Sequence, residues 1–108
     1  MGTRMKLHRA LLLGATLTCF ATGAFGADQK TQDLYKSKCQ GCHGADGKAT
    51  AIGKKLGAKD FQDPDVAKMS EDDLEKTTKE GKNKMPAYKG KLTDKQIDEL
   101  VKYIKELK

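Results

Sequence analysis

The chain has 108 residues, of which 21 are Lys or Arg and 15 are Asp or Glu, giving a net charge of +6. A chain of this length forms one small domain with room for only a small core. Acids are interleaved with the basic residues throughout, so no basic stripe could follow a phosphate backbone, and no nucleic-acid partner is expected.

Residues 1–26 have the pattern of a secretory signal peptide. A positive segment contains Arg4, Lys6, His8 and Arg9. An uncharged apolar run follows, and Ala24 and Gly26 offer small residues for cleavage before Ala27. The run is too short for a comfortable membrane span, although an uncleaved anchor is the alternative. The residues before Cys19 do not form a lipobox, so Cys19 is expected to leave with the signal. The pattern predicts export to the periplasm.

Cleavage after residue 26 would leave a single domain, residues 27–108. These 82 residues carry a net charge of +3, because the removed segment holds three Lys or Arg and no acid. The remaining chain is rich in lysines and acids and has no tryptophan. A small domain this polar usually needs a covalent or metal staple to fold well. A disulfide between its two cysteines is one candidate for that staple.

The first predicted helix runs from Asp28 or Gln29 to about Lys38, with Asp28 as its cap. It leads directly into a C-x-x-C-H run, Cys39-Gln40-Gly41-Cys42-His43. This spacing is typical of a c-type haem site: two thiols on one turn add to the two vinyl groups of a porphyrin, and the histidine ligates the iron.

Two other readings of the C-x-x-C-H run fail on the available residues. A thioredoxin-like redox pair needs a βαβ setting, and no nearby segment alternates as strands do. A structural zinc site needs four ligands. The chain after residue 26 supplies only Cys39, Cys42 and His43 as cysteine or histidine. Haem attachment through Cys39 and Cys42 is therefore favoured over both, and His43 favours it over a disulfide.

The rest of the chain predicts a loop followed by three helices. Residues 44–62 are expected to wrap along the haem without regular structure, with Ile52, Leu56 and Phe61 as apolar contacts. Three helices are then indicated by their caps and periodicity: Asp63-Pro64 to about Lys68, Ser70 to Glu80, and Thr93 to Leu107. Five apolar residues at helical spacing define a buried face on the last of them: Ile97, Leu100, Val101, Ile104 and Leu107.

The sixth iron ligand cannot be a second histidine, because none follows residue 43. The candidates are Met69, Met85, a lysine or an open position. Met69 precedes a predicted helix cap and is expected to pack as part of a hydrophobic staple. Met85 precedes Pro86, which forbids helix continuation and holds the residue before it extended. We therefore predict that His43 and Met85 bind the iron.

These segments together resemble the small class I bacterial cytochromes c with a single haem, of the c5, c6 and cbb3-subunit type. The resemblance rests on Leu34-Tyr35, the run from Cys39 to Gly44, the run from Lys84 to Tyr88, and the last helix with Leu100 and Tyr103. It implies an all-α fold of four to five helices around one covalently attached haem c, in which the first and last helices cross at Tyr35, Leu100 and Tyr103.

The chain departs from many members of that family at two points. Thr31 stands where they carry a glycine in the first helix. No proline occurs between Gly44 and Asp63, although the family uses a proline carbonyl there to hold the proximal histidine. We expect a backbone carbonyl between Ala49 and Leu56 to orient His43 instead, since ligating histidines usually donate their other N–H.

The resemblance implies a periplasmic single-electron carrier rather than an enzyme. Its partners would be redox proteins with acidic docking faces, including membrane-bound complexes, and the chain is expected to be a monomer. Six lysines would form the docking ring: 36, 38, 82, 84, 89 and 91. The alternative is a haem-based sensor or ligand-binding protein with a weak or open sixth position.

Overall fold

The computed structural model describes residues 27–107 and, before them, Gly14 alone. The proposed signal peptide therefore lies outside the described residues except at Gly14. The described residues form six helices and no strands, which confirms the predicted all-α class: α1 Gln29–Lys38, α2 Gln40–His43, α3 Ala51–Lys55, α4 Pro64–Ala67, α5 Glu71–Glu80 and α6 Asp94–Glu106. In this part of the chain, no helix is long and apolar enough to cross a membrane.

The longer helices begin where their caps predict. The Asp28 carboxylate accepts a hydrogen bond from the Thr31 N–H (2.8 Å), and the Ser70 hydroxyl accepts one from the Asp73 N–H (3.1 Å). Thr93 and Gln96 form a complete capping box, with reciprocal bonds of 3.1 and 2.8 Å. These side chains satisfy N–H groups that a helix start leaves without partners. Residues within four positions of one another therefore determine where these helices begin.

The core lies where α1 crosses α6, as the resemblance implied. Tyr35 and Leu100 are each 1% exposed, and the ring of Tyr35 meets that of Tyr103 edge-on at 5.2 Å. Thr31, at the position where many relatives have glycine, is buried and donates its hydroxyl to Glu99 (3.3 Å). Ile97 and Val101 complete the buried face of α6. The crossing therefore packs α1 against the last helix, and the C-x-x-C-H run follows directly from the end of α1.

The prediction of an irregular loop over residues 44–62 is wrong in part. This segment contains the one-turn helix α3, which Thr50 caps by accepting a hydrogen bond from the Gly53 N–H (3.0 Å). The described residues form six helices when the short helices α2 and α3 are counted, compared with the four to five expected. Ile52, one of the three predicted apolar contacts, is 65% exposed. α3 has only five residues, which is too short for an apolar repeat to show in the sequence. The sequence therefore did not indicate which of its residues would be exposed.

Candidate functional site

A cavity of about 300 Å³ lies between α2, the segments on either side of α4, and the loop after α5. Its lining is mostly apolar and includes Leu56, Phe61, Val66, Leu74, Leu100 and Ile104. Leu56 and Phe61 were predicted as apolar contacts of the bound group. A mostly apolar cavity with a few polar groups is the usual form of a cofactor site.

The C-x-x-C-H turn forms one side of this cavity, with Cys39, Cys42 and His43 all in the lining. α1 ends at Cys39, whose N–H donates to the Tyr35 carbonyl (2.8 Å), and the His43 N–H donates to the Cys39 carbonyl (3.0 Å). The two thiols are free rather than joined, and burial raises the pKa of Cys39 to about 11. The turn thus presents two thiols and an imidazole to one space.

His43 lies flat against Phe61, with ring centroids 4.7 Å apart and an angle of 26° between the planes. Burial lowers the pKa of His43, because the charged imidazolium loses solvation, and the ring is therefore kept neutral. A neutral imidazole is the form that can bind a metal. Its Nδ1 is buried and has no hydrogen-bond partner among the described residues.

The predicted carbonyl that would orient His43 is not found. The carbonyls of Thr50, Ile52, Gly53 and Lys54 each accept a hydrogen bond from a later backbone N–H of the same segment. The physical reason is α3 itself: because residues 51–55 coil into a helical turn, their carbonyls are directed along that turn. Nδ1 is therefore left as a buried polar atom without a hydrogen-bond partner among the described residues, which costs stability.

Met85 enters the cavity from the loop between α5 and α6. This loop is closed by a pair of backbone bonds, from the Met85 N–H to the Lys82 carbonyl (2.9 Å) and from the Lys82 N–H to the Met85 carbonyl (3.2 Å). Asn83 takes the left-handed conformation that the turn requires (φ 54°). Met85 is therefore held by a tight turn before Pro86. Met69 also lines the cavity, from the segment between α4 and α5.

The structure also shows contacts of residues for which the sequence predicted no specific role. Tyr88 lines the cavity, and its hydroxyl donates to the Lys38 carbonyl (3.1 Å), which ties the loop after α5 to the end of α1. Thr50 and Gly53 contact the C-x-x-C-H turn from α3. Threonine is a favoured N-cap residue, so a helix start at Thr50 could have been predicted from the sequence. The contact with α2 could not, because it involves residues of another segment.

Comparisons with known proteins agree with this geometry. Residues 26–104 match the family "Cytochrome C oxidase, cbb3-type, subunit III". The chain belongs to this family of c-type cytochromes. A c-type cytochrome contains covalently bound haem c, so the predicted cofactor is confirmed at the level of the family. Within the described residues, no group of three or more His, Cys, Asp or Glu could hold a separate metal ion.

Individual relatives of this cytochrome point the same way. Cytochrome c6 of Thermosynechococcus vestitus (strain NIES-2133 / IAM M-273 / BP-1) is 30% identical over 91 residues, covering 83% of this chain and 80% of the relative. Cytochrome c6 of Synechococcus elongatus is 31% identical over 71 residues, which cover 66% of this chain and 79% of the relative. The solved structure of the KustC0563 c-type cytochrome superposes with a TM-score of 0.68 at 34% identity, covering 72% of this chain and 96% of that one.

Proposed function

We propose that this cytochrome is a single-electron carrier in which Cys39 and Cys42 attach haem c and His43 and Met85 bind its iron. The observation that carries the proposal is that all four side chains line the same mostly apolar cavity. The donor set fits the group: two free thiols for thioether bonds, a neutral imidazole, and a soft thioether.

Each part of the site has a separate task in this proposal. Haem c supplies a reversible one-electron iron couple when it is bound. The apolar lining excludes water, while Phe61 restrains the plane of the His43 ring by stacking. The Met85 thioether favours ferrous over ferric iron and so raises the reduction potential. The cytochrome c6 relatives support an electron carrier rather than an enzyme.

Met85 is proposed as the ligand in preference to Met69, although both line the cavity. Met69 directly precedes the Ser70 cap of α5 and stands at the staple position relative to Leu74, which also lines the cavity. Packing at the start of α5 therefore accounts for Met69. No corresponding helix packing accounts for Met85, which lies in a hydrogen-bonded turn between α5 and α6.

Export is part of the same proposal. Residues 1–26 carry the signal-peptide pattern, and thioether attachment of haem to the remaining residues 27–108 would take place in the periplasm. We propose that the mature protein acts there as a monomer between redox proteins, some of them membrane-bound. The c6 relatives are named as cytochromes, which supports the electron-carrying role and not a particular partner.

An optical redox titration of the purified protein tests the proposed ligation. We expect one reversible one-electron transition at positive potential, and slow or negligible binding of CO to the reduced protein, because His43 and Met85 would both bind the iron. Rapid CO binding by the unmodified protein would instead support the ligand-binding alternative, in which the sixth position is open.

Lysines near the cavity support docking to acidic partners. Of the six lysines proposed for the ring, Lys38, Lys82 and Lys84 line the cavity, and Lys36, Lys89 and Lys91 are exposed outside that lining. Lys59 also lines it but is paired with Asp65 (3.1 Å). Positive charge beside a buried redox group attracts anionic partners and raises the rate of productive encounter.

Oxidation of the reduced protein by ferricyanide, a trianion, measures this attraction directly. Replacing both Lys38 and Lys84 with glutamate is expected to slow the reaction about tenfold at low salt. The difference should shrink as the Debye length falls from about 30 Å at 0.01 M to about 8 Å at 0.15 M ionic strength. Replacing both Lys30 and Lys95 with glutamate is the control of equal charge change, because both are exposed outside the cavity lining and Lys30 lies about 12 Å further back along α1 from Lys38. Equal slowing by the control would show that net charge alone sets the rate of oxidation and would contradict a docking ring of lysines.

A further inference from the structure

Thr50 links α3 to the C-x-x-C-H turn through both its side chain and its backbone. Its hydroxyl donates to the Gly41 carbonyl (2.7 Å), with the Cys42 carbonyl further away at 3.4 Å. Its backbone N–H donates to the Cys42 carbonyl (2.9 Å). The same hydroxyl accepts from the Gly53 N–H (3.0 Å), so its donor and acceptor capacities are both used.

The two carbonyls that Thr50 binds belong to a helix that cannot satisfy them. α2 spans four residues, Gln40–His43, and the last carbonyls of any helix lack intrahelical partners. Gly41 and Cys42 immediately precede His43, so the bonds from Thr50 fix the backbone directly before the imidazole-bearing residue. The hydroxyl thereby satisfies the Gly41 carbonyl of α2 from outside that helix.

Gly53 allows this contact to be close. A Cβ at Gly53 would overlap the carbonyl oxygen of Cys42, so a side chain there would push α3 away from α2. With glycine at 53, α3 lies directly against the last turn of α2. Thr50, at the start of α3, is thus brought into hydrogen-bond range of both carbonyls.

The His43 ring is not oriented by a hydrogen bond of its own at Nδ1, which has no partner among the described residues. Its contact with Phe61 is a stacking contact, which restrains the ring plane but allows sliding within it. The position of the ring therefore depends on how firmly the backbone of α2 is held. Thr50 supplies the side-chain hydrogen bond to that backbone from α3.

We propose that Thr50 is a positioning residue for His43, acting through the backbone of Gly41 and Cys42. The inference rests on the proposed function, in which His43 binds the haem iron. Thr50→Val keeps the shape of the side chain and removes the hydroxyl, whereas Thr50→Ser keeps the hydroxyl. Loss of the hydroxyl should free the end of α2 and change the placement of the imidazole.

Proton NMR of the oxidised holoprotein tests the proposal, because ring protons of an iron-bound histidine carry large paramagnetic shifts that depend on ring position. We expect Thr50→Val to move the His43 ring resonances and Thr50→Ser to restore them towards the wild-type positions. Thr93→Val is the matched control, because it also removes a capping hydroxyl, but at α6. The Thr93 hydroxyl accepts a hydrogen bond from the Gln96 N–H, and the Gln96 side chain accepts one from the Thr93 N–H. Thr93→Val should lower stability without moving the His43 resonances.

The possible outcomes distinguish the positioning role of Thr50 from the proposed iron ligation. Unchanged His43 resonances in Thr50→Val, with the wild-type protein showing both His43 and Met85 as ligands, would overturn the positioning role alone. Equal movement in Thr50→Val and Thr93→Val would also overturn it, by assigning the effect to general loss of stability. A wild-type spectrum without a shifted histidine would overturn the proposed ligation and this inference with it.

Discussion

Replacing Met85 with alanine is expected to lower the reduction potential by more than about 59 mV, a tenfold shift in the one-electron equilibrium. The reason is that the thioether, which favours ferrous iron, would be lost from the axial position. The reduced variant should also bind CO rapidly, because an axial position would be open. Both effects are measured on purified holoprotein, by redox titration and by mixing with CO.

Two further variants separate ligation from packing at this position. Met85→Leu keeps a similar apolar volume and removes the sulfur, so it should behave like Met85→Ala. Met69→Ala removes the other methionine of the same cavity and should leave potential and CO binding close to wild type. If Met69→Ala is the variant that lowers the potential, the sixth ligand has been assigned to the wrong methionine.

Replacing Gly53 with alanine is expected to destabilise the protein, although alanine is normally the better helix former by about 1 kcal/mol. The added Cβ would overlap the Cys42 carbonyl oxygen, which is backbone and has no rotamer to change. Overpacking of this kind costs about 1–3 kcal/mol. Denaturant unfolding of the holoprotein measures the loss, and the yield of haem-loaded protein should fall with it.

Gly41→Ala provides the matched control in the adjacent helix α2. A Cβ at Gly41 would have no atom within 4 Å, so that variant should be as stable as the wild type or slightly more stable. A Gly53→Ala protein that unfolds at the same denaturant concentration as Gly41→Ala would contradict the close contact between α2 and α3.

Features that depend on neighbouring residues were predictable from the sequence. Asp28, Ser70 and Thr93 each accept a hydrogen bond from an N–H three residues later, so each helix start is encoded within four residues. The buried face of α6 followed from apolar spacing, since Ile97, Leu100 and Val101 repeat with the helical period. The C-x-x-C-H run likewise keeps its donors adjacent, so the turn that presents them is local.

Features that depend on contacts between segments were not predictable in this way. Thr50 reads as an ordinary polar residue until α3 is seen to lie against α2. Ile52 resembles a core residue by type, yet it is 65% exposed because Gly53 turns toward Cys42 instead. Leu56, one turn later, does reach the cavity. A one-turn helix has no period from which its inner face could be inferred, and tertiary contact decides which residue is buried.

The mass of the mature protein, purified from a host with working cytochrome-maturation machinery, tests the central claim most directly. We expect coloured protein that begins at Ala27 and is heavier than residues 27–108 by one haem, and we expect Cys39→Ser and Cys42→Ser each to lose most of the haem-loaded product. Colourless protein with the mass of the bare polypeptide would contradict it.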